Sequence, residues 1–142
     1  MASFYISNEL RRAVRATDTG ICAYCRTSER NSGIPSAHDH ILPRTKGGTT
    51  DLANLCHSCR PCNEFKGDTT HAIDPLTEEV FPLFHPRNQQ WTDHFEWSSD
   101  FTELIGITPC GRVTVIALKM NNQTIVGARR RWVSAGWHPP EL

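Results

Sequence analysis

The sequence predicts an α+β fold in which two short strands and one helix are held together by two pairs of cysteines. The first observation is the spacing of Cys22/Cys25 and Cys59/Cys62, each a Cys-x-x-Cys pair. The second is a short strand pattern between the pairs, and the third is a set of capped helical patterns at both ends of the chain. We therefore expect an N-terminal helix, a clamped strand–strand–helix core and a C-terminal extension of strands and helices.

The N-terminal half contains the core elements. Ser7 can cap a helix over residues 6–17, because Leu10 and Val14 recur at helical spacing and Gly20 ends the pattern. The stretch between the cysteine pairs carries His-Asp-His on a strand, and Gly67 is a helix stop. The expected core elements are a strand at 37–42, a second strand within 52–56 and a helix at about 60–67.

The C-terminal half is expected to pack on this core as an aromatic arm followed by two helices. Residues 70–100 are rich in proline and aromatic residues and appear irregular in pattern, with strands near 94–98 and 102–107. Thr108-Pro109 is typical of a helix start, and a second helix runs to Gly136. We divide the chain into a core, 1–70, and an extension, 71–142.

Charge and composition limit the classes of function. The 142 residues hold 15 basic and 15 acidic side chains. By half, 9 basic and 7 acidic residues fall in 1–70 and 6 and 8 in 71–142, so any nucleic-acid contact must come from local clusters. There is neither a membrane-length apolar run nor a signal-peptide pattern, which predicts a cytoplasmic protein without membrane contact. Six cysteines in a reducing compartment indicate metal binding before disulfides.

The two cysteine pairs predict a structural zinc site. Four thiolates supplied by Cys22, Cys25, Cys59 and Cys62 complete the tetrahedral shell of a closed zinc centre. Cys56/Cys59 has the same spacing as Cys59/Cys62 and is an alternative pair. We prefer Cys59/Cys62 because Cys56 falls where a strand residue faces the core.

A second group of polar residues suggests hydrolytic chemistry. Asp39 and His40 are adjacent on the first strand, and Asn63 and Lys66 lie one turn apart on the same face of the core helix. Asp39 and Asn63 offer hard oxygen ligands for Mg²⁺ or Mn²⁺, and an imidazole beside them suits a general base. One divalent ion and one base suffice to hydrolyse a phosphodiester.

Taken in order, these residues resemble the HNH endonuclease family, in its four-cysteine branch of small bacterial proteins. The motif covers roughly residues 20–68. It comprises Cys22-x2-Cys25, Asp39-His40-Ile41-Leu42-Pro43, Gly47-Gly48, Asn54-Leu55 and Cys59-x2-Cys62-Asn63-x2-Lys66-Gly67. The resemblance implies a ββα-metal (His-Me finger) motif.

The resemblance also implies a role for each residue. His40 would be the general base, Asp39 and Asn63 would hold the catalytic Mg²⁺ or Mn²⁺, and the Asn54 side chain would tie the loop between the strands and orient His40. Lys66 would assist near the phosphate. The substrate would be DNA, expected to be double-stranded, cut to leave 5′-phosphate and 3′-hydroxyl ends. The alternative is a zinc-stabilised nucleic-acid-binding module without catalysis.

Several residues have more than one interpretation. His38 is a further ligand, a DNA contact or a solvent-facing histidine, and His57 has a small claim to a metal role. The basic run 129–131 is either a phosphate contact or a solvated helix face. Arg44 and Lys46 are better candidates for phosphate contact, because they follow the strand that carries His40.

Overall fold

The structure, a computed structural model, describes residues 5–141. The helices are α1 (Asn8–Asp18), α2 (Glu29–Ser32), α3 (Arg60–Lys66), α4 (Pro109–Ala117) and α5 (Gln123–Ser134). The strands are β1 (Ala37–His40), β2 (Leu55–Ser58), β3 (His71–Ile73), β4 (Val80–Pro82), β5 (Phe95–Trp97) and β6 (Leu104–Gly106). The predicted helices and strands occur in the expected order, and α2, β3 and β4 are additional elements. The α+β class is confirmed.

Four helices begin at residues whose side chains cap them. Ser7 accepts a hydrogen bond from the Leu10 amide, Ser28 from Arg30, Thr108 from Gly111 and Asn122 from Ile125. Each cap satisfies an amide that has no partner within the helix. Pro109 occupies the first turn of α4, where a missing N–H costs nothing.

The strands form three antiparallel pairs, β1–β2, β3–β4 and β5–β6. In the first pair Asp39 lies opposite Cys56 and His40 opposite Leu55. The second strand, expected within 52–56, begins at Leu55 after a 3-10 turn at residues 52–54 and continues to Ser58. The pair β3–β4 was not predicted; that stretch was expected to be irregular.

The hydrophobic core crosses from the N-terminal half into the C-terminal half. Tyr24 and Ile41 belong to the same cluster as Phe84, Trp91 and Val113. The Trp91 indole donates a hydrogen bond to the Tyr24 carbonyl at 2.8 Å. On the other side of the β1–β2 pair, α1 packs against β2 through a smaller cluster of Ile6, Val14 and Leu55.

None of the helices within residues 5–141 combines the length and the apolar character that crossing a bilayer requires.

Candidate metal and catalytic site

Four cysteine sulfurs converge at one point. Cys22 and Cys25 lie in the turn after α1, Cys59 precedes α3 and Cys62 lies in its first turn. Their sulfurs all lie within 4.8 Å of one another, and the Cys25 and Cys59 sulfurs are 3.5 Å apart. This is the set predicted from the sequence. Four converging thiols with no disulfide among them fit a structural zinc ion.

Polar groups lie against two of the four sulfurs. Thr27 Oγ1 lies 3.1 Å from the Cys25 sulfur, and the Cys25 amide points at Cys22 Sγ. Hydrogen bonds from Cys22 and the other two cysteines lower the pKa of Cys25 well below its ordinary value. Hydrogen bonds within the cluster, with Cys22 first, raise the pKa of Cys59 and the pKa of Cys62, and all four thiols must lose their protons to bind zinc.

Cys56 lies outside this cluster. It is fully buried on β2, and its sulfur faces Asp39 at 4.0 Å. Burial raises the pKa of its thiol well above the ordinary value. The preference for Cys59/Cys62 over Cys56/Cys59 therefore agrees with the geometry, and Cys56 serves as a small core residue.

Asp39 points into the protein, where its carboxylate pairs with Lys66. The Lys66 ammonium lies 3.2 Å from Oδ1 and 3.1 Å from Oδ2, and the Tyr24 hydroxyl donates to Oδ2 at 2.6 Å. Only 4% of Asp39 and 2% of Lys66 is exposed. Burial raises the pKa of Asp39, although Lys66 and Tyr24 oppose the shift by favouring the carboxylate. Burial also raises the pKa of Tyr24, so its hydroxyl stays protonated and donates.

The Lys66 ammonium occupies a cradle of oxygen atoms. Besides the carboxylate, it donates to the carbonyls of His40 and Ile41, each at 3.1 Å. The donor set thus already holds one cation. Oxygen ligands of this kind suit Mg²⁺ or Mn²⁺, so the chemistry of the cradle fits a divalent ion, provided that Lys66 shares or leaves its place. Contact of Lys66 with a substrate phosphate likewise requires its side chain to turn outward.

Asn63 lies one helical turn before Lys66, on the same face of α3. It is partly exposed, and its side-chain amide makes no hydrogen bond with any other residue between 5 and 141. Because α3 packs against β1, this free amide lies on the side of the helix that carries Lys66 to Asp39.

His40 lies at the end of β1 and faces away from Asp39. It is half-buried, and its Nε2 lies 3.0 Å from Thr50 Oγ1. Burial lowers the pKa of His40, and the nearby Arg44 charge lowers it further. The imidazole is therefore neutral at physiological pH, which is the form that takes up a proton.

Asn54 fastens the loop that connects the two strands. Its Oδ1 accepts from the Leu42 amide at 2.8 Å, while Nδ2 donates to the carbonyls of Leu42 and Thr49 at 3.0 and 2.9 Å. The loop carries Thr50, the partner of His40. These bonds hold the chain on both sides of the imidazole.

The two other histidines of the strand pair contact each other. The rings of His38 and His57 meet edge to face at 5.6 Å, and His57 Nε2 lies 3.6 Å from Glu29. Burial lowers the pKa of both. Neither belongs to the cysteine cluster. Of the basic run, Arg130 and Arg131 are exposed, but Arg129 is fully buried and cannot reach a phosphate as placed.

Sequence reasoning missed Tyr24 and Thr50, which complete the surroundings of Asp39 and His40. Tyr24 stands between the first two cysteines, so its closeness to the metal site was visible. The hydrogen bond from Tyr24 to Asp39, 15 positions away, was not visible in the sequence, because only the folded chain brings the two residues together.

The fold and the cysteine site define a class: an α+β domain in which a zinc-type four-cysteine centre joins a strand pair to a following helix. Residues 22–75 match the family model described as HNH endonuclease, which confirms the resemblance over that segment. The matched segment contains every residue discussed as part of the metal and catalytic site. No curated protein matches the chain.

Proposed function

We propose that this protein is a metal-dependent endonuclease that hydrolyses phosphodiester bonds of DNA, with His40 as general base. The HNH match supports a nuclease acting on nucleic acid. The observation that carries the finer proposal is the imidazole of His40, which is half-buried and neutral on the outer face of β1 with Nε2 held by Thr50. The cytoplasm remains the expected location, because the cysteine thiols of the protein stay reduced there and can bind zinc.

His40 would remove a proton from the attacking water. Thr50 holds Nε2, and Nδ1 makes no hydrogen bond with another residue of the described chain, so Nδ1 is available to accept the proton. The resulting hydroxide attacks phosphorus, the bond to the 3′ oxygen breaks, and that oxygen takes a proton from solvent. The products are a 5′-phosphate and a 3′-hydroxyl end.

Asp39 and Asn63 would hold the divalent cation. When bound, Mg²⁺ or Mn²⁺ would stabilise the charge that builds on the phosphate and on the departing oxygen. Lys66 pairs with the Asp39 carboxylate and favours its ionised form, and the ammonium would move aside for the carboxylate to bind the cation. Asn54 holds the loop, and through Thr50 the loop fixes the angle of the imidazole.

The first test compares plasmid cleavage by wild type, His40→Ala and His71→Ala. His71 is an exposed histidine on β3 and serves as the matched control. We expect His40→Ala to cut about 10²- to 10⁴-fold more slowly, as is typical when a general base is removed, and His71→Ala to cut at the wild-type rate. Metal dependence is measured by adding Mg²⁺ or Mn²⁺ to metal-depleted buffer. A chelator is avoided because it can strip the zinc.

The pH profile adds an independent readout. Since the pKa of His40 is lowered, cleavage should persist below the ordinary histidine value of about 6.5 and fall only at more acidic pH. Equal cleavage by wild type and His40→Ala would refute His40 as the base. DNA that is bound but never cut under any metal condition would favour the non-catalytic binding module instead.

A further inference from the structure

Arg129 on α5 is a buried cation with too few partners. None of its surface is exposed. Its Nη1 donates to the Thr102 carbonyl at 3.0 Å and to Asn121 Oδ1 at 3.3 Å, but Nε and Nη2 are buried without a hydrogen-bond partner among the described residues. No carboxylate between residues 5 and 141 forms an ion pair with it. A buried charge left in this way is costly unless something else compensates it.

The cysteine cluster lies beside this guanidinium. Cys25, Cys59 and Cys62 line the same cavity of about 470 Å³ as Arg129, between α3 and α5. Burial lowers the pKa of Arg129, whereas the nearby thiols of Cys25, Cys62 and Cys59 raise it. The guanidinium also lies over the Trp97 ring, with the ring centre 5.3 Å from the guanidinium carbon, a cation–π contact.

We propose that Arg129 is the counter-cation of the four-cysteine zinc centre and donates hydrogen bonds from its two unpartnered nitrogens to the thiolates, above all to Cys25. Four thiolates carry more negative charge than one Zn²⁺ neutralises, so the loaded centre is an anion buried in the protein. The guanidinium and the centre would thus compensate each other's burial.

The proposal links zinc binding to a helix outside the segment that matches the HNH family, since α5 begins at Gln123 and the match ends at residue 75. It is independent of nuclease activity. The C-terminal extension would then complete the metal centre as well as cover it.

The test measures zinc release from the full, zinc-loaded chain on addition of an excess of a chromogenic chelator. Arg129→Met keeps the length of the side chain but removes charge and donors, Arg129→Lys keeps the charge, and Arg131→Met is the control at an exposed arginine of the same helix. We expect release to be about 10- to 100-fold faster in Arg129→Met, intermediate in Arg129→Lys and unchanged in Arg131→Met.

Thermal unfolding with and without zinc separates this role from simple packing. Arg129→Met should lower the midpoint of the zinc-loaded protein while leaving that of the zinc-free protein unchanged or higher, because without zinc the arginine is an uncompensated buried charge. Wild-type release rates in Arg129→Met, or equal release from the Met and Lys variants, would overturn the proposal. If Arg129→Met does not fold, the refolding of Arg129→Met and Arg129→Lys in the presence of zinc is compared. Refolding of Arg129→Lys alone would support the need for a positive charge, and failure of both variants to refold would overturn the proposal.

Discussion

The buried pair of Asp39 and Lys66 shows what single residues contribute here. A charged pair removed from water pays a desolvation cost for each partner, and it is retained only when hydrogen bonds satisfy both. The ammonium has three oxygen-bearing neighbours and the carboxylate has Tyr24 in addition. The pair therefore fixes the inner face of β1 against α3, with His40 on the outer face.

Removing one partner should destabilise the protein strongly. Lys66→Met leaves the Asp39 carboxylate buried and unpaired, which we expect to lower the free energy of unfolding by about 3–5 kcal/mol. Lys46→Met, at an exposed lysine, should change it by less than about 0.5 kcal/mol. Denaturant unfolding with zinc present measures both.

A double variant shows whether the pair is the cause. Asp39→Asn combined with Lys66→Met should cost clearly less than the sum of the single variants, since it leaves no unpaired charge. Strict additivity would contradict the importance of the ion pair.

Cys62 and Lys66 show what the spacing of residues in the sequence can predict and what it cannot. Cysteine spacing predicted the metal cluster because two thiolates separated by two residues can approach one ion from a single turn. Helical spacing placed Asn63 and Lys66 on one face, but spacing does not give the depth of that face. The burial of Lys66 depends on how α3 packs against β1, which is a property of the tertiary structure.

At the scale of elements, the loop between β1 and β2 depends on a close backbone contact at Gly48. A Cβ atom placed there would lie 1.7 Å from the Leu42 carbonyl oxygen and 2.9 Å from Asn54 Nδ2. Leu42 and Asn54 are the residues that the loop hydrogen bonds connect. Glycine is required because only a residue without a side chain admits this approach.

Gly48→Ala should therefore displace the loop and misplace Thr50 relative to His40. We expect lower stability and lower cleavage, because the Leu42 backbone must move to relieve the overlap. Gly127→Ala is the matched control: it lies within α5 with only an ordinary contact at 3.8 Å, and alanine should stabilise a helix there by about 0.5–1 kcal/mol. A Gly48→Ala protein as stable and active as wild type would contradict the tight packing of the loop.

The hairpin β3–β4 explains why one element escaped prediction. Its strands have three residues each, and the apolar residues Ile73 and Val80 occupy exposed positions, so no alternation of polar and apolar residues marks the strands in the sequence. The turn is built by Asp74, whose carboxylate accepts from Leu76 and Thr77 and forms a two-point pair with Arg112 on α4. Asp74-Pro75 is typical of a turn in the sequence, but Arg112, which pairs with Asp74, lies 38 residues further on.

At the scale of the whole molecule, the two halves share one core, and charged contacts join them as well. The predicted division at residue 70 stays a prediction, although Trp91 and Phe84 pack with Tyr24 across it. The clearest polar link is Arg87, which meets both oxygens of Asp18 at 2.7 and 2.9 Å. It also donates to the carbonyls of Leu52 and Leu55 at 3.2 and 2.7 Å.

Arg87 thus joins the end of α1, the start of β2 and the C-terminal half. Asp18 in turn accepts from the His57 amide at 2.7 Å, so the clamp fixes the strand that carries Cys56 and leads to Cys59. Neither residue stood out in the sequence, since an isolated aspartate and arginine 69 positions apart carry no pattern.

Loss of this clamp should weaken the contact between the halves before the metal centre fails. Arg87→Met leaves Asp18 largely buried without its cation, and we expect the free energy of unfolding to fall by about 3 kcal/mol. Arg87→Lys should recover only part of it, because an ammonium cannot reproduce the two-point contact of a guanidinium. Arg30→Met, at an exposed arginine, is the control and should behave as wild type.

Hydrogen exchange locates the effect: in Arg87→Met, amides of α1 and β2 should exchange faster, while zinc remains bound. Unchanged exchange there, with faster exchange confined to residues 85–90, would show that Arg87 orders only its own loop.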